Sequence, residues 1–171
     1  MLIRKAESAD FTAVKEITLE TIKSVYPHYY PNGAVGYFIS YHNDKNILND
    51  INRGSVSLLI DENVIIGTVT IKNNEISRLF VLPDYQKKGY GRALLDFAEQ
   101  KIFEDYNEIT ISASLPAKKI YLKRGYIETE YNTIITENGD YLCYDEMKKN
   151  KQIKEQKIWK QPHRQCLRRR L

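Results

Sequence analysis

The sequence predicts an α/β fold of the α+β kind: a mixed, mostly antiparallel central sheet flanked by helices, with one parallel strand–helix–strand unit. Three β-branched runs, Val56 to Ile60, Val64 to Ile71 and Glu75 to Leu82, are joined by only Asp61-Glu62-Asn63 and Lys72-Asn73-Asn74. Such connections suit hairpins and are far shorter than the roughly dozen residues of a parallel crossover, so this part of the sheet is antiparallel. After Leu82 the period changes: a polar loop leads into Gly91 to Phe103, with Leu94, Leu95, Ala98 and Ile102 on one helical face, and then into a strand from Glu108 to Ser112. That order is a right-handed βαβ unit appended to the meander. The chain has 171 residues, 42% of them apolar. It contains no apolar run near the ~18 residues of a membrane span, so it reads as one soluble domain, long enough to bury a sizeable core.

The remaining elements follow from local signals. Leu2 to Lys5 reads as a short strand, and Ser8-Ala9-Asp10 offers caps for a helix with Phe11, Val14, Ile17, Leu19 and Ile22 near helical spacing. Tyr26 to Gly36, with Pro27, Pro31 and Gly33, reads as irregular, and a second helix is expected from Tyr37 to Ile51. Pro116 suits a first helical position, so a short helix is expected from there to Gly125, after Lys123-Arg124. Two last strands, Tyr126 to Ile135 and Tyr141 to Met147, flank Glu137-Asn138-Gly139-Asp140, a hairpin signal. The domain is expected to span residues 1–149, leaving 150–171 as a basic, flexible tail.

Charge is informative only by segment. The formal net charge is +4, but Lys148 to Leu171 hold ten basic residues and one acidic (+9), whereas residues 1–147 hold 16 basic and 21 acidic (−5). An acidic domain does not seek nucleic acid, and that class of partner is left to the tail, where Trp159 and Arg168-Arg169-Arg170 lie. Cys143 and Cys166 are too few for a disulfide framework, and Met1 to Asp10 lack the apolar core of a signal peptide and the acid-poor pattern of a transit peptide. A reduced, cytoplasmic setting without membrane contact is expected. His28, His42 and His163 show no metal-ligand spacing, so no metal is expected.

The feature that carries chemistry is Gln86-Lys87-Lys88-Gly89-Tyr90-Gly91, between a strand and a helix. A glycine turn there leaves backbone N–H groups unpaired, and the helix dipole adds about half a positive charge, which suits a phosphate. Lys87, Lys88 and Arg92 strengthen that field. The P-loop pattern is absent, and a dinucleotide fingerprint fails because Leu94 stands where its third small residue belongs and no acid ends the strand at Ser112.

The stretch Ile76 to Leu95, with Gln86-Lys87-Lys88-Gly89-Tyr90-Gly91 inside it, resembles the acetyl-CoA motif Q/R-x-x-G-x-G/A of the GCN5-related N-acetyltransferases. Ala117-Lys118-Lys119-Ile120-Tyr121-Leu122-Lys123-Arg124-Gly125-Tyr126 is similar to that family's second motif, a tyrosine-bearing helix closed by a glycine–aromatic pair. The resemblance implies acetyl-CoA as co-substrate, its pyrophosphate cradled by the backbone of Gln86, Lys87, Lys88, Gly89, Tyr90, Gly91 and Arg92. It implies main-chain contacts from Leu79, Phe80 and Val81 to the acetyl and pantetheine arm, and a contact from Ser114 to that arm or to Tyr121. Tyr121 is implied as the acid that protonates the leaving thiolate, and Glu75, eleven residues before Gln86, as the base that deprotonates the acceptor amine. Tyr29, Tyr30 and Tyr37 occupy the segment that walls the acceptor pocket in the family, and many relatives dimerise. The expected activity is direct acetyl transfer from acetyl-CoA to an amine. The alternative is a non-catalytic acyl-CoA sensor, or a nucleic-acid-binding module that uses the tail.

Overall fold

The computed structural model describes residues 1–152; the rest of the predicted tail lies outside the described residues. Seven strands form one sheet in the order β1-β2-β3-β4-β5-β7-β6. They are β1 (Leu2–Lys5), β2 (Val56–Asp61), β3 (Val64–Lys72), β4 (Glu75–Val81), β5 (Glu108–Ser114), β6 (Ile127–Ile135) and β7 (Tyr141–Asn150). Every neighbouring pair is antiparallel except β4 and β5. The short turns after β2 and β3 close through residues with positive φ, Glu62, Asn63 and Asn73, which asparagine adopts at low cost.

The parallel pair opens the sheet. β4 and β5 share a single register pair, Glu75 with Thr110, whereas β5 and β7 pair along seven residues from Glu108 to Ser114. Beyond Glu75 the two strands splay. Ser77 is the extra residue of a bulge in β4, since Ile76 faces Ile71 and Arg78 faces Thr70. Bulges increase local twist and bend a strand, which agrees with β4 leaving β5 here.

Five helices cover the two faces: α1 (Phe11–Val25), α2 (Asn32–Tyr41), α3 (Asp44–Asn52), α4 (Tyr90–Asp105) and α5 (Leu115–Lys123). Alternation along the strands separates two cores. Leu59, Val69 and Val81 pack with Leu94, Leu95 and Ile102 of α4 on one face. Phe80 and Leu142 pack with Ile17, Ile22, Tyr26 and Tyr30 on the other. Among the described residues no helix is long and apolar enough to cross a membrane.

Two sequence expectations are corrected. The single helix from Tyr37 to Ile51 is two helices, because the backbone leaves helical geometry at His42 and the Asn43 side chain accepts the Asn46 N–H at 3.0 Å to cap a new one. The segment expected to be irregular already holds the first turns of α2, from Asn32. The Gly33 N–H there donates to Asp140 at 2.7 Å, a cap supplied by the distant β6–β7 hairpin. The last strand also runs slightly past residue 149, and the Lys151 N–H bonds Asn107 O at 2.8 Å.

Gly67 sets how closely α4 approaches the sheet. A Cβ there would lie 2.9 Å from Leu94 Cδ1 and 3.1 Å from Phe80 O. Gly67→Ala is therefore expected to cost about 1–3 kcal/mol by overpacking, read as a lower midpoint in urea unfolding. An unchanged midpoint would show that α4 can retreat freely.

Candidate active site

The splay between β4 and β5 creates a cavity of about 230 Å³. Its walls are built from the bulged start of β4, the C-terminal end of β5, α5 and the aromatic residues of α2. Backbone direction decides what β4 offers to it. The Leu82 N–H bonds Ile66 O across to β3 at 2.9 Å, and amide directions alternate along a strand. The Phe80 amide therefore also faces β3, while those of Leu79 and Val81 face the gap left by β5. Phe80 is itself a lining residue of the cavity, with its amide turned toward β3. The Val81 carbonyl already accepts from Thr21 Oγ1 at 3.1 Å and from Gln86 Nε2 at 2.9 Å, which ties the loop to the strand.

Tyr121 enters from α5. It is 6% exposed, and its ring meets Tyr126 edge-on at 5.5 Å. Its hydroxyl makes no hydrogen bond among the described residues, although its side chain lines the cavity. Burial, with the Tyr26 phenol nearby, raises its pKa above the ordinary phenol value, so it is protonated at any working pH. Ser114, at the end of β5, also lines the cavity, and its Oγ lies 3.3 Å from Tyr26 Oη. Tyr30 donates to Cys143 O at 2.9 Å and accepts the Leu115 N–H at 2.7 Å. It is a strut that fixes the start of α5, and with it the height of Tyr121.

Glu75 stands where β4 and β5 are still paired, half-buried in the cavity wall. Burial raises its pKa, Lys72 opposes that shift, and Glu146 and Asp50 add to it. A carboxyl so placed takes up a proton more readily than a solvated one.

The glycine loop lies at the N-terminus of α4, separate from the cavity lining. Lys87 and Gly89 both have positive φ, 62° and 94°. The first N–H of the helix to bond back is that of Ala93, to Gly89 O at 3.0 Å. The N–H groups from Lys87 to Arg92 have no partner among the described residues, which is the donor array a phosphate requires. A Cβ on Gly91 would find nothing nearer than Val81 Cγ2 at 3.9 Å, so packing does not call for glycine there. The space above the helix start is open, as a bound pyrophosphate would need. Among the side chains of the loop, Tyr90 Oη bonds Asp61 at 2.5 Å, Lys88 lies over the Tyr85 ring at 5.3 Å, and Arg92 is exposed and directed toward Asp96 at 4.0 Å.

Leu79, Phe80, Ser114, Tyr121 and Glu75 thus share one cavity, and Gly91 sits beside Val81, which leads into it. Of the three tyrosines expected to wall an acceptor pocket, only Tyr37 lines it; Tyr30 is internal and Tyr29 is 52% exposed elsewhere. Sequence reasoning missed Tyr26, His42, Arg78 and Tyr144, all in the lining. None of the four lies in a motif that marks it in the sequence. Among the described residues no group of three or more His, Cys, Asp or Glu side chains is arranged to hold a metal ion.

Comparisons with known proteins bear on the family and the fold. The family model for the GNAT acetyltransferase domain matches residues 25–151. The fold is similar to that of a Rhodopseudomonas palustris protein described as a GCN5-related N-acetyltransferase, aminotransferase class II, with a TM-score of 0.78 at 24% identity over 87% of this chain and 94% of that one. It is also similar to the PaiA N-acetyltransferase of Thermoplasma acidophilum, solved with coenzyme A (TM-score 0.66, 22% identity, 88% and 98% covered). A third similar structure is yncA of Salmonella typhimurium, solved with its cofactor acetyl-CoA (TM-score 0.67, 18% identity, 88% and 93% covered). No curated protein matches the chain. With a family match covering most of its length, the splayed β4–β5 pair and the glycine loop opening α4, the chain belongs to the GNAT, or GCN5-related N-acetyltransferase, family.

Proposed function

We propose that this protein is an acetyl-CoA-dependent N-acetyltransferase that transfers the acetyl group directly to an amine, with residues 1–149 as the catalytic domain. The observation that carries the reading is the meeting in one splayed cavity of a buried phenol, Tyr121, and a carboxyl with raised pKa, Glu75, while amides lie just outside it at the start of α4, the phenol and the amides being without partners among the described residues. Acetyl-CoA supplies an activated thioester. The backbone N–H groups from Lys87 to Arg92, with the α4 dipole, hold the pyrophosphate. The gap-facing amides of Leu79 and Val81 orient the pantetheine arm and polarise the thioester carbonyl. Ser114 supports the arm or Tyr121 itself. Glu75 takes the proton of the attacking ammonium, and Tyr121 Oη gives one to the departing sulfur. The two-cysteine composition accords with work in the cytoplasm.

An amine of pKa about 10.4 is mostly protonated at neutral pH, so a base is required before attack. Glu75 acts as a base only when ionised, so kcat/KM should fall as the pH drops through its folded pKa, which burial raises from that of a solvated glutamate. Glu75→Gln is expected to lower kcat about tenfold at neutral pH and to erase that limb. A folded pKa raised by burial means the ionised form costs stability above it, so the variant should melt no lower than the parent at neutral pH. An acidic limb unchanged in the variant would remove Glu75 as base. The reading as a whole is tested by mixing the protein with acetyl-CoA and an amine panel and following free thiol; no turnover with any amine, together with retained acetyl-CoA binding, would leave only the sensor alternative.

A further inference from the structure

The cavity also holds His42, at the break between α2 and α3 and only 6% exposed. Its Nδ1 accepts a hydrogen bond from Arg78 Nε at 3.2 Å. A guanidinium has donors and no acceptor, so that nitrogen carries no proton and the single proton of the neutral ring sits on Nε2. The arrangement is rigid. Arg78 also donates to Asp50 at 2.9 Å and to Thr70 Oγ1 at 3.2 Å, and Lys72 holds the other Asp50 oxygen at 2.9 Å. Burial, Arg78 and Lys72 push the His42 pKa down to about 3, so the same tautomer persists across the working pH range.

Nε2–H has no partner among the described residues, yet it is not one of the unpartnered atoms sealed from solvent. The space open to this buried ring is the cavity it lines. A second orphan is there as well: Ser77 Oγ, on the β4 bulge, is buried in the cavity wall without a partner among the described residues. The cavity thus pairs a carboxyl, Glu75, for a cationic nitrogen with a fixed donor that calls for an oxygen. A plain alkylamine satisfies the first and strands the second, and stranding a desolvated donor is costly.

Building on the acetyltransferase reading above, we propose that His42 is a specificity-determining residue whose Nε2–H donates to an oxygen on the acceptor, so that the acceptor class is an amine bearing a nearby carbonyl or hydroxyl rather than a simple alkylamine. The test is steady-state kinetics with matched amines: alanine amide against its isopropyl analogue, and alaninol against sec-butylamine. Two variants are compared with the parent. His42→Phe removes the donor, and His42→Asn keeps an oxygen for Arg78 while being too short to reach the acceptor. In both, kcat/KM for the oxygen-bearing amines should fall about tenfold, mainly through KM, with the hydrocarbon partners and the KM for acetyl-CoA unchanged. Because each ratio is compared with the parent's, differences in amine basicity cancel. The loss should be equal between about pH 6 and about pH 8, since burial, Arg78 and Lys72 hold the ring neutral throughout, against the opposing charge of the Asp50 and Glu75 carboxyls and beside the neutral Tyr41 phenol. A fall shared by both members of a pair, or no fall in either, would overturn the proposal while leaving the acetyltransferase reading intact. If the parent acetylates no amine, that reading fails and this one with it. Should His42→Phe not fold, His42→Asn decides.

Discussion

Replacing Gly91 with leucine should weaken acetyl-CoA binding at least about a hundredfold while leaving the melting temperature equal or higher. The fold itself gives no reason for glycine at this second position of α4. Its φ is not in the left-handed region, and a Cβ would meet nothing nearer than Val81 Cγ2 at 3.9 Å. Glycine within a helix costs about 1 kcal/mol relative to a good helix former, so leucine should be neutral or favourable for stability. What a side chain would obstruct is the space in front of the unpaired amides from Lys87 to Arg92. Hydrogen bonds to a charged group contribute about 1.5–3 kcal/mol each, and two of them amount to at least a hundredfold in affinity. Gly89 makes a poorer test, because its φ of 94° strains any other residue and loosens the loop for reasons unrelated to a ligand. Titration calorimetry with acetyl-CoA, paired with thermal melting, separates the two effects. Unaltered binding by a well-folded Gly91→Leu would remove the loop from the phosphate site.

The contrast between these two glycines shows which parts of the molecule were legible in the chain. Local signals carried the meander, the loop and the tyrosine helix: short turns, of two residues each in the structure, a change of period at Leu82, and Pro116 at the start of α5. The splay that makes the cavity was not legible, because it depends on β7 inserting between β5 and β6 and on one bulge at Ser77. Neither leaves a local trace, since strand order is fixed by which hydrophobic faces are left to cover. The direction of the Phe80 amide leaves no local trace either, as it follows from the ladder with β3. His42, Asp50 and Arg78 are 28 to 36 residues apart in the sequence where they bond. A buried arginine in an alternating strand reads as a solvent-facing one until its partners are known. The loss of the single long helix at His42 belongs with this: the break places the imidazole on Arg78, and tertiary bonding outweighs a continuous apolar pattern.

Tyr121→Phe should reduce kcat about a hundredfold or more and leave the KM for acetyl-CoA, the melting temperature and the pH limb of Glu75 unchanged. The substitution is clean because Tyr121 Oη makes no hydrogen bond among the described residues and its ring packing against Tyr126, at 5.5 Å, is kept by phenylalanine. Nothing is left unpaired in the variant, so no stability is lost for that reason. What disappears is the proton donor. A thiolate of conjugate pKa near 8.5 leaves more readily when a hydrogen bond or proton reaches it, and general acids of this kind contribute about 10² to 10⁴ in rate. Burial raises the Tyr121 pKa, which keeps the phenol protonated even at the high pH where more of the amine is free. The donor and the unprotonated nucleophile can therefore coexist, a condition that a histidine in the same place would fail above neutral pH. If Tyr121→Phe retains full kcat, sulfur leaves without help from this residue. Because Tyr26 Oη lies 3.3 Å from Ser114 Oγ and Tyr26 lines the same cavity, Tyr26→Phe in the Tyr121→Phe background then shows whether the second phenol supplies the proton.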